Sequence, residues 1–98
     1  MDKREAIEIL KKYKTVVSEH LPVKSLYMFG SYSKGGYTEE SDIDVAVIVP
    51  KETEFGFDDI TLLWRLGSGV STLIEPVLMC EGDTSPLYYD IMRTGIEI

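Results

Sequence analysis

Residues 45–49 read Val-Ala-Val-Ile-Val, and Pro50 closes the run. This is the strongest constraint on the fold. Valine and isoleucine are stiff at χ1 and fit extended backbone best. A strand apolar on both faces belongs at the buried centre of a sheet, not at a solvated edge. Two carboxylates, Asp42 and Asp44, stand at its entrance.

The other elements arrange themselves around that strand. Asp2 caps a first helix, with Glu5 three residues on in a capping-box-like start. Ala6, Ile9, Leu10, Tyr13, Val16 and Val17 follow at helical spacing, and Lys11, Lys12 and Lys14 lie mostly off that face. The helix is expected to end near His20, shortly before Pro22. Val23 to Phe29 reads as a short strand running into a Gly30–Gly36 segment, where a one-turn helix fits from Ser31 to Lys34. After a polar loop, Asp42 to Val49 is the second strand.

A helix is expected from about Asp58 to Leu66, with Ile60, Leu63, Trp64 and Leu66 on its buried side and Gly67 and Gly69 stopping it. Thr72 to Met79 reads as a third strand, and Pro76 inside it points to an edge position or a local break in pairing. Pro86 to Arg93 is a closing helix ended by Gly95. The order α-β-α-β-α-β-α predicts an α+β fold with a small sheet of three or four strands packed against helices. Ninety-eight residues suit a single domain spanning 1–98.

Composition removes several classes of function. Seventeen acidic against ten basic side chains give a charge of −7. A non-specific nucleic-acid binder needs a basic stripe instead. There is no apolar run long enough to span a membrane, and the Met1-Asp2-Lys3-Arg4-Glu5 start lacks the apolar stretch of a signal peptide. One cysteine, Cys80, cannot build a disulfide framework, which fits a cytoplasmic location. With a single histidine, His20, a Cys/His zinc site is excluded within one chain.

The chemistry concentrates between Gly30 and Val45. A glycine at a strand exit lets a bound group approach the backbone closely. Ser31 at a helix start leaves free N–H groups pointing outward, a site suited to phosphate oxygens. Asp42 and Asp44, two apart on a strand, project to the same side. Like charges so close repel, and a bridging hard cation such as Mg²⁺ relieves them. A phosphate turn and a carboxylate pair on adjacent strands are what metal-dependent phosphoryl transfer requires.

Gly30-Ser31, ten residues, then Asp42-Ile43-Asp44 resembles the signature of the polymerase-β-type nucleotidyltransferases. Gly35 and the run from Ser41 to Val45 also fall where that family has them. The chain is similar in size to the minimal nucleotidyltransferases, and the resemblance covers the whole domain. It implies a nucleotidyltransferase fold with a small mixed sheet. It implies that Gly30 and Ser31 bind the nucleotide's β- and γ-phosphates. Asp42 and Asp44 would hold two metal ions, Mg²⁺ or Mn²⁺. The family's third carboxylate maps to Glu75, the one acid in the third predicted strand. The family more often has Asp there, and Pro76 follows directly. Asp42, Asp44 and Glu75 are thus the expected catalytic and metal-binding set.

Other residues carry blander readings. His20 suits a helix C-terminal cation, and Cys80 and Trp64 suit the core. Lys34 is placed either to touch a triphosphate or to stay solvated. Tyr32 and Tyr37 either line a nucleotide or pack over the loop. Glu52, Glu54, Asp58 and Asp59 form an acidic stretch suited to a solvated loop or a basic partner.

The resemblance implies transfer of AMP from ATP to a hydroxyl. Larger relatives carry a second domain for the acceptor, so a partner protein or a second copy is expected to complete it here. Minimal members resemble antitoxins paired with small helical HEPN-type toxins, and an acidic chain suits a basic ribonuclease partner. The alternatives are a non-catalytic module binding a nucleotide or partner, and a homodimeric small-molecule nucleotidyltransferase. No direct nucleic-acid or membrane binding is expected.

Overall fold

A computed structural model describes residues 1–98. Helix α1 spans Lys3–Ser18, strand β1 Ser25–Phe29, helix α2 Ser31–Lys34 and strand β2 Ile43–Val49. Helix α3 spans Phe57–Val70, strand β3 Ile74–Cys80, helix α4 Pro86–Thr94 and strand β4 Ile96–Glu97. The sheet order is β3-β2-β1-β4. β2 runs antiparallel to β1 and parallel to β3, and β4 pairs antiparallel with β1. The sheet is therefore mixed, with the Val45–Val49 run buried in a central strand.

Strand alternation sorts the two faces. Leu26, Met28, Ile43, Val45, Val47 and Ile74 face α1 and α3, where Ala6, Leu10, Tyr13, Val17 and Leu63 meet them. The buried Tyr13 hydroxyl donates to the Leu63 carbonyl at 2.9 Å, which satisfies the one polar atom of that ring. Ala46, Ile48 and Met79 face the other way, with Tyr27, Phe29 and Val77, and are covered by Ile91 and Tyr88 of α4. The larger core lies under two long helices; the second face has one short helix.

Most element positions match the expected pattern, including the one-turn α2 and the edge position of β3. The Asp2 cap holds, its Oδ1 accepting from the Glu5 N–H at 2.8 Å; Ser85, which the sequence reading did not single out, caps α4 by accepting from the Tyr88 N–H.

Helix α3 differs from expectation. It continues through Gly67 and Gly69 to Val70. Gly67 is buried, and a Cβ there would lie 3.1 Å from Ile74 Cγ2 and 3.5 Å from Tyr13 Cε1. The glycine lets α3 approach β3 and α1 closely, rather than ending the helix. Leu63 and Gly67 point inward, so Ile60 and Trp64 turn outward, contrary to the core role expected of them. β4 was not foreseen; two residues carry too little pattern to be read. Cys80 is half-buried at the end of β3, its thiol 3.4 Å from the Thr53 carbonyl. His20 is exposed beyond the end of α1. No helix is long and apolar enough to cross a membrane.

Candidate active site

The C-terminal end of β1 meets the N-terminal ends of β2 and β3. Register places Phe29 opposite Asp44 and Asp44 opposite Glu75. The three form one row across the sheet, on the face that α4 only partly covers. Asp42 lies just ahead of β2 and is exposed, while Asp44 and Glu75 are half-buried.

The chain leaves β1 through Gly30, at φ 72° and ψ −143°. That region of backbone space is essentially confined to glycine. A Cβ there would also meet the Asp44 carboxylate, which would have to shift to admit it. The phosphate turn and the aspartate pair expected from sequence are thus in direct contact. The Gly30 carbonyl accepts from the N–H groups of Ser33 and Lys34, and from Ser33 Oγ at 3.0 Å. α2 closes at Gly35, in the left-handed region at φ 93°. The leading N–H groups of a helix lack an intrahelical acceptor; here they belong to Ser31 and Tyr32.

Glu75 turns toward the aspartates. It stands beside Asp44 in register, close enough for its carboxyl to feel the charges of Asp42 and Asp44. Burial, then repulsion from Asp42 and Asp44, pushes its pKa above the usual carboxylate range. Burial and the Asp42 charge raise that of Asp44 in the same way, while a hydrogen bond with Glu75 pulls it down. None of the three carboxylates pairs with a lysine or arginine. Facing acids without a protein cation fit a hard divalent ion as donor set. As placed, no three of these side chains converge on one ion position.

Lys34 is exposed, as the solvated reading expects, and it also reaches α4. Its Nζ donates to Asp90 Oδ2 of α4 at 2.8 Å, and Arg93 Nη2 lies 3.3 Å from Asp90 Oδ1. Asp90 ties α2 to α4, and no local pattern in the sequence announces it. The Lys34 hydrogen bond and charge, with help from Arg93, hold the Asp90 carboxyl below its usual range. Tyr32 and Tyr37 stack at 4.6 Å between ring centres and 11° between planes. Tyr32 is fully buried, which favours packing over the loop for that ring.

Two open depressions flank the region. One of about 850 Å³ is lined by Thr84, Pro86, Tyr89, Asp90, Met92 and Arg93. The other, of about 430 Å³, is lined by Met1, Asp2, Glu5, Tyr37, Thr38 and Glu39. The carboxylate row lines neither and stands on an open face.

The nucleotidyltransferase domain family matches residues 10–84, three-quarters of the chain, with this whole site inside the match. The chain belongs to that family. A candidate protein adenylyltransferase of Methanocaldococcus jannaschii is 30% identical over 98 residues, covering 96% of this chain and 99% of that one. Two others from the same organism are 52% identical over 40 residues and 37% identical over 54 residues. Those matches span 41% and 54% of this chain, and 40% and 54% of the relatives' own length. A candidate nucleotidyltransferase structure from Sulfolobus solfataricus superposes with a TM-score of 0.69 at 20% identity, over 97% of this chain and 80% of that one. A chain of a toxin–antitoxin complex with AMP-PNP does so at 0.62 and 21% identity, over 99% and 72%. These structures share the nucleotidyltransferase fold.

Proposed function

We propose that the chain transfers a nucleoside monophosphate, AMP from ATP, to a hydroxyl of a partner protein. The observation that carries this reading is the Gly30–Asp44 contact beside Glu75, which sets a phosphate turn against a carboxylate cluster. Gly30 and Ser31 bind the β- and γ-phosphates through backbone N–H groups. Asp42, Asp44 and Glu75 would hold Mg²⁺ or Mn²⁺. Such ions neutralise phosphate charge and favour the attacking oxyanion. Glu75 takes the proton of the acceptor hydroxyl, whose oxygen attacks the α-phosphorus. The bond to the β-phosphate breaks and pyrophosphate leaves.

Adenine is favoured by the adenylyltransferase relatives and by the neighbour with AMP-PNP. A protein acceptor suits an open face that lacks a cleft for a small molecule. The toxin–antitoxin neighbours favour an antitoxin role; that the toxin is a small helical HEPN-type protein follows from the resemblance to the minimal nucleotidyltransferases. A second reading is a binding module without transfer, favoured by the absence of a converged three-ligand position.

A label-transfer assay separates the two. The protein is incubated with Mg²⁺, each α-labelled nucleoside triphosphate and a lysate of the source organism. A labelled band with ATP, absent for Asp44→Asn, is expected. A folded protein that captures a partner yet labels nothing with any nucleotide overturns the transferase reading.

A further inference from the structure

Helix α2 is pinned from both sides of the sheet. Tyr32 and Lys34 are two residues apart, roughly 200° round a helix, so their side chains leave on opposite sides. Tyr32 is fully buried in the core that α1 and α3 cover. Lys34 reaches the other way, to Asp90 on α4, with Nζ 2.8 Å from Oδ2. The first pin is apolar and enclosed. The second is an ion pair at the surface, and one charge decides whether it forms.

Asp90 is a firm point of attachment. Its neighbour Ile91 is buried with Ala46, Ile48 and Met79, which fixes α4 on the sheet. Its second oxygen, Oδ1, lies 3.3 Å from Arg93 Nη2, so both ends of the carboxylate are held. α2 has no comparable support of its own. Four residues are too few for a helix to persist alone, and its N-cap, Gly30, has no side chain to cap it.

Lys34 is also where this anchor meets the site. While its side chain holds Asp90, its backbone N–H donates to the Gly30 carbonyl at 3.0 Å. Gly30 in turn lies against the Asp44 carboxylate. A continuous path, Asp90–Lys34–Gly30–Asp44, thus joins α4 to the carboxylate row. We propose that Asp90 is a positioning residue, which through Lys34 holds the Gly30 turn at the spacing from Asp44 that a nucleotide requires. The assignment rests on the nucleotide-transfer reading of the site, and it makes Lys34 an anchor, not a phosphate ligand. The two roles differ in sign. A Lys34 that had to leave Asp90 to grip a phosphate would set Asp90 in competition with the nucleotide, and removing the Asp90 charge would tighten binding. With Lys34 as anchor, removing that charge weakens binding, because the turn is in place in a smaller fraction of molecules.

The test measures ATP binding with Mg²⁺ by calorimetry on the full chain, a readout that needs no transfer, and KM and kcat by label transfer. Asp90→Asn and Lys34→Met are each expected to raise Kd and KM for ATP roughly two- to fivefold, the range that loss of one exposed ion pair produces. kcat changes little, since the loss is of binding shared by ground and transition states. The double variant is expected to bind no more weakly than either single, because both remove the same link. Asp90→Glu keeps the charge and is expected to recover most of the affinity. Circular dichroism stays native in all four variants. Unchanged or tighter ATP binding by Asp90→Asn overturns the proposal. So do losses that add in the double variant, a Lys34→Met loss far above that of Asp90→Asn, or an Asp90→Glu as weak as Asp90→Asn. A parent that binds no ATP at millimolar concentration overturns it together with the nucleotide reading of the site. A protein that binds ATP with the expected pattern yet labels nothing supports the anchor and refutes transfer alone.

Discussion

Gly30 carries two demands at one residue. Its backbone sits where side chains are strained, and its missing Cβ is the space that the Asp44 carboxylate fills. Gly30→Ala is expected to lower stability by about 1–3 kcal/mol, measured by urea titration, and to displace Asp44 enough to abolish label transfer. A variant as stable and active as the parent refutes the close-approach role. The carboxylates make a different prediction. Asp44 and Glu75 have folded pKa values raised by burial and repulsion, so the folded state binds protons more tightly than the unfolded one. Metal-free stability therefore falls as pH rises from the ordinary carboxylate range through the raised values. Asp44→Asn removes one of the facing charges. Its metal-free Tm at pH 7 is expected to exceed that of the parent, and its decline over the same window to be shallower. A lower Tm at pH 7 shows instead that Asp44 stabilises the empty site. The aspartate pair was legible in the sequence because a strand's two-residue period needs no tertiary information. Glu75 joined that pair only through the family resemblance, since β2–β3 register joins residues thirty-one apart and local periodicity does not reach that far.

Elements were legible where punctuation and periodicity agreed. α2 is bracketed by Gly30 and Gly35, and both turn out to have positive φ. α3 was shortened because Gly67 and Gly69 look like stop signals. The deciding fact is instead the fit of Gly67 against Ile74 and Tyr13, which local sequence does not encode. Trp64 reads as core by spacing, but the inward side of α3 is that of Leu63 and Gly67, which leaves Trp64 exposed. The Lys34–Asp90 link was equally out of reach, joining helices fifty-six residues apart. It tethers the four-residue α2, too short to hold itself. Asp90→Asn is expected to speed hydrogen exchange at the amides of Ser33, Lys34 and Gly35 several-fold, with little change in the amides of β2. The Asp90 carboxyl is held low by Lys34, so its contribution is present above the ordinary aspartate pKa and is lost as pH falls through the folded value. Acidification should loosen α2 in the parent and have no further effect in Asp90→Asn. Unchanged α2 exchange in the variant shows that β1 and the sheet alone hold the helix.

Seen whole, the molecule divides its labour between two sheet faces. α1 and α3 cover one and supply most of the core; α4 covers part of the other and leaves the carboxylate row open. The charge of −7 is spread over the chain, and at Asp42, Asp44 and Glu75 several acids face one another at the sheet without a basic partner. A divalent ion that binds there and not to the unfolded chain stabilises by mass action, by about 1.4 kcal/mol at ten times its Kd. For a domain of this size that is a rise of roughly 5–10 °C in Tm. Titration with Mg²⁺ or Mn²⁺ in a thermal melt is therefore expected to raise Tm in a saturable way. Asp42→Asn and Asp44→Asn should each lose most of the rise, because each removes a donor and part of the charge that attracts the ion. Glu97→Gln, remote in register from the row, should keep it. A rise of equal size in all four proteins indicates general screening of negative charge. No rise in the parent at millimolar Mg²⁺ or Mn²⁺ means that the carboxylates do not hold a metal without the nucleotide's phosphates, and repeating the melt with ATP present distinguishes a shared site from none.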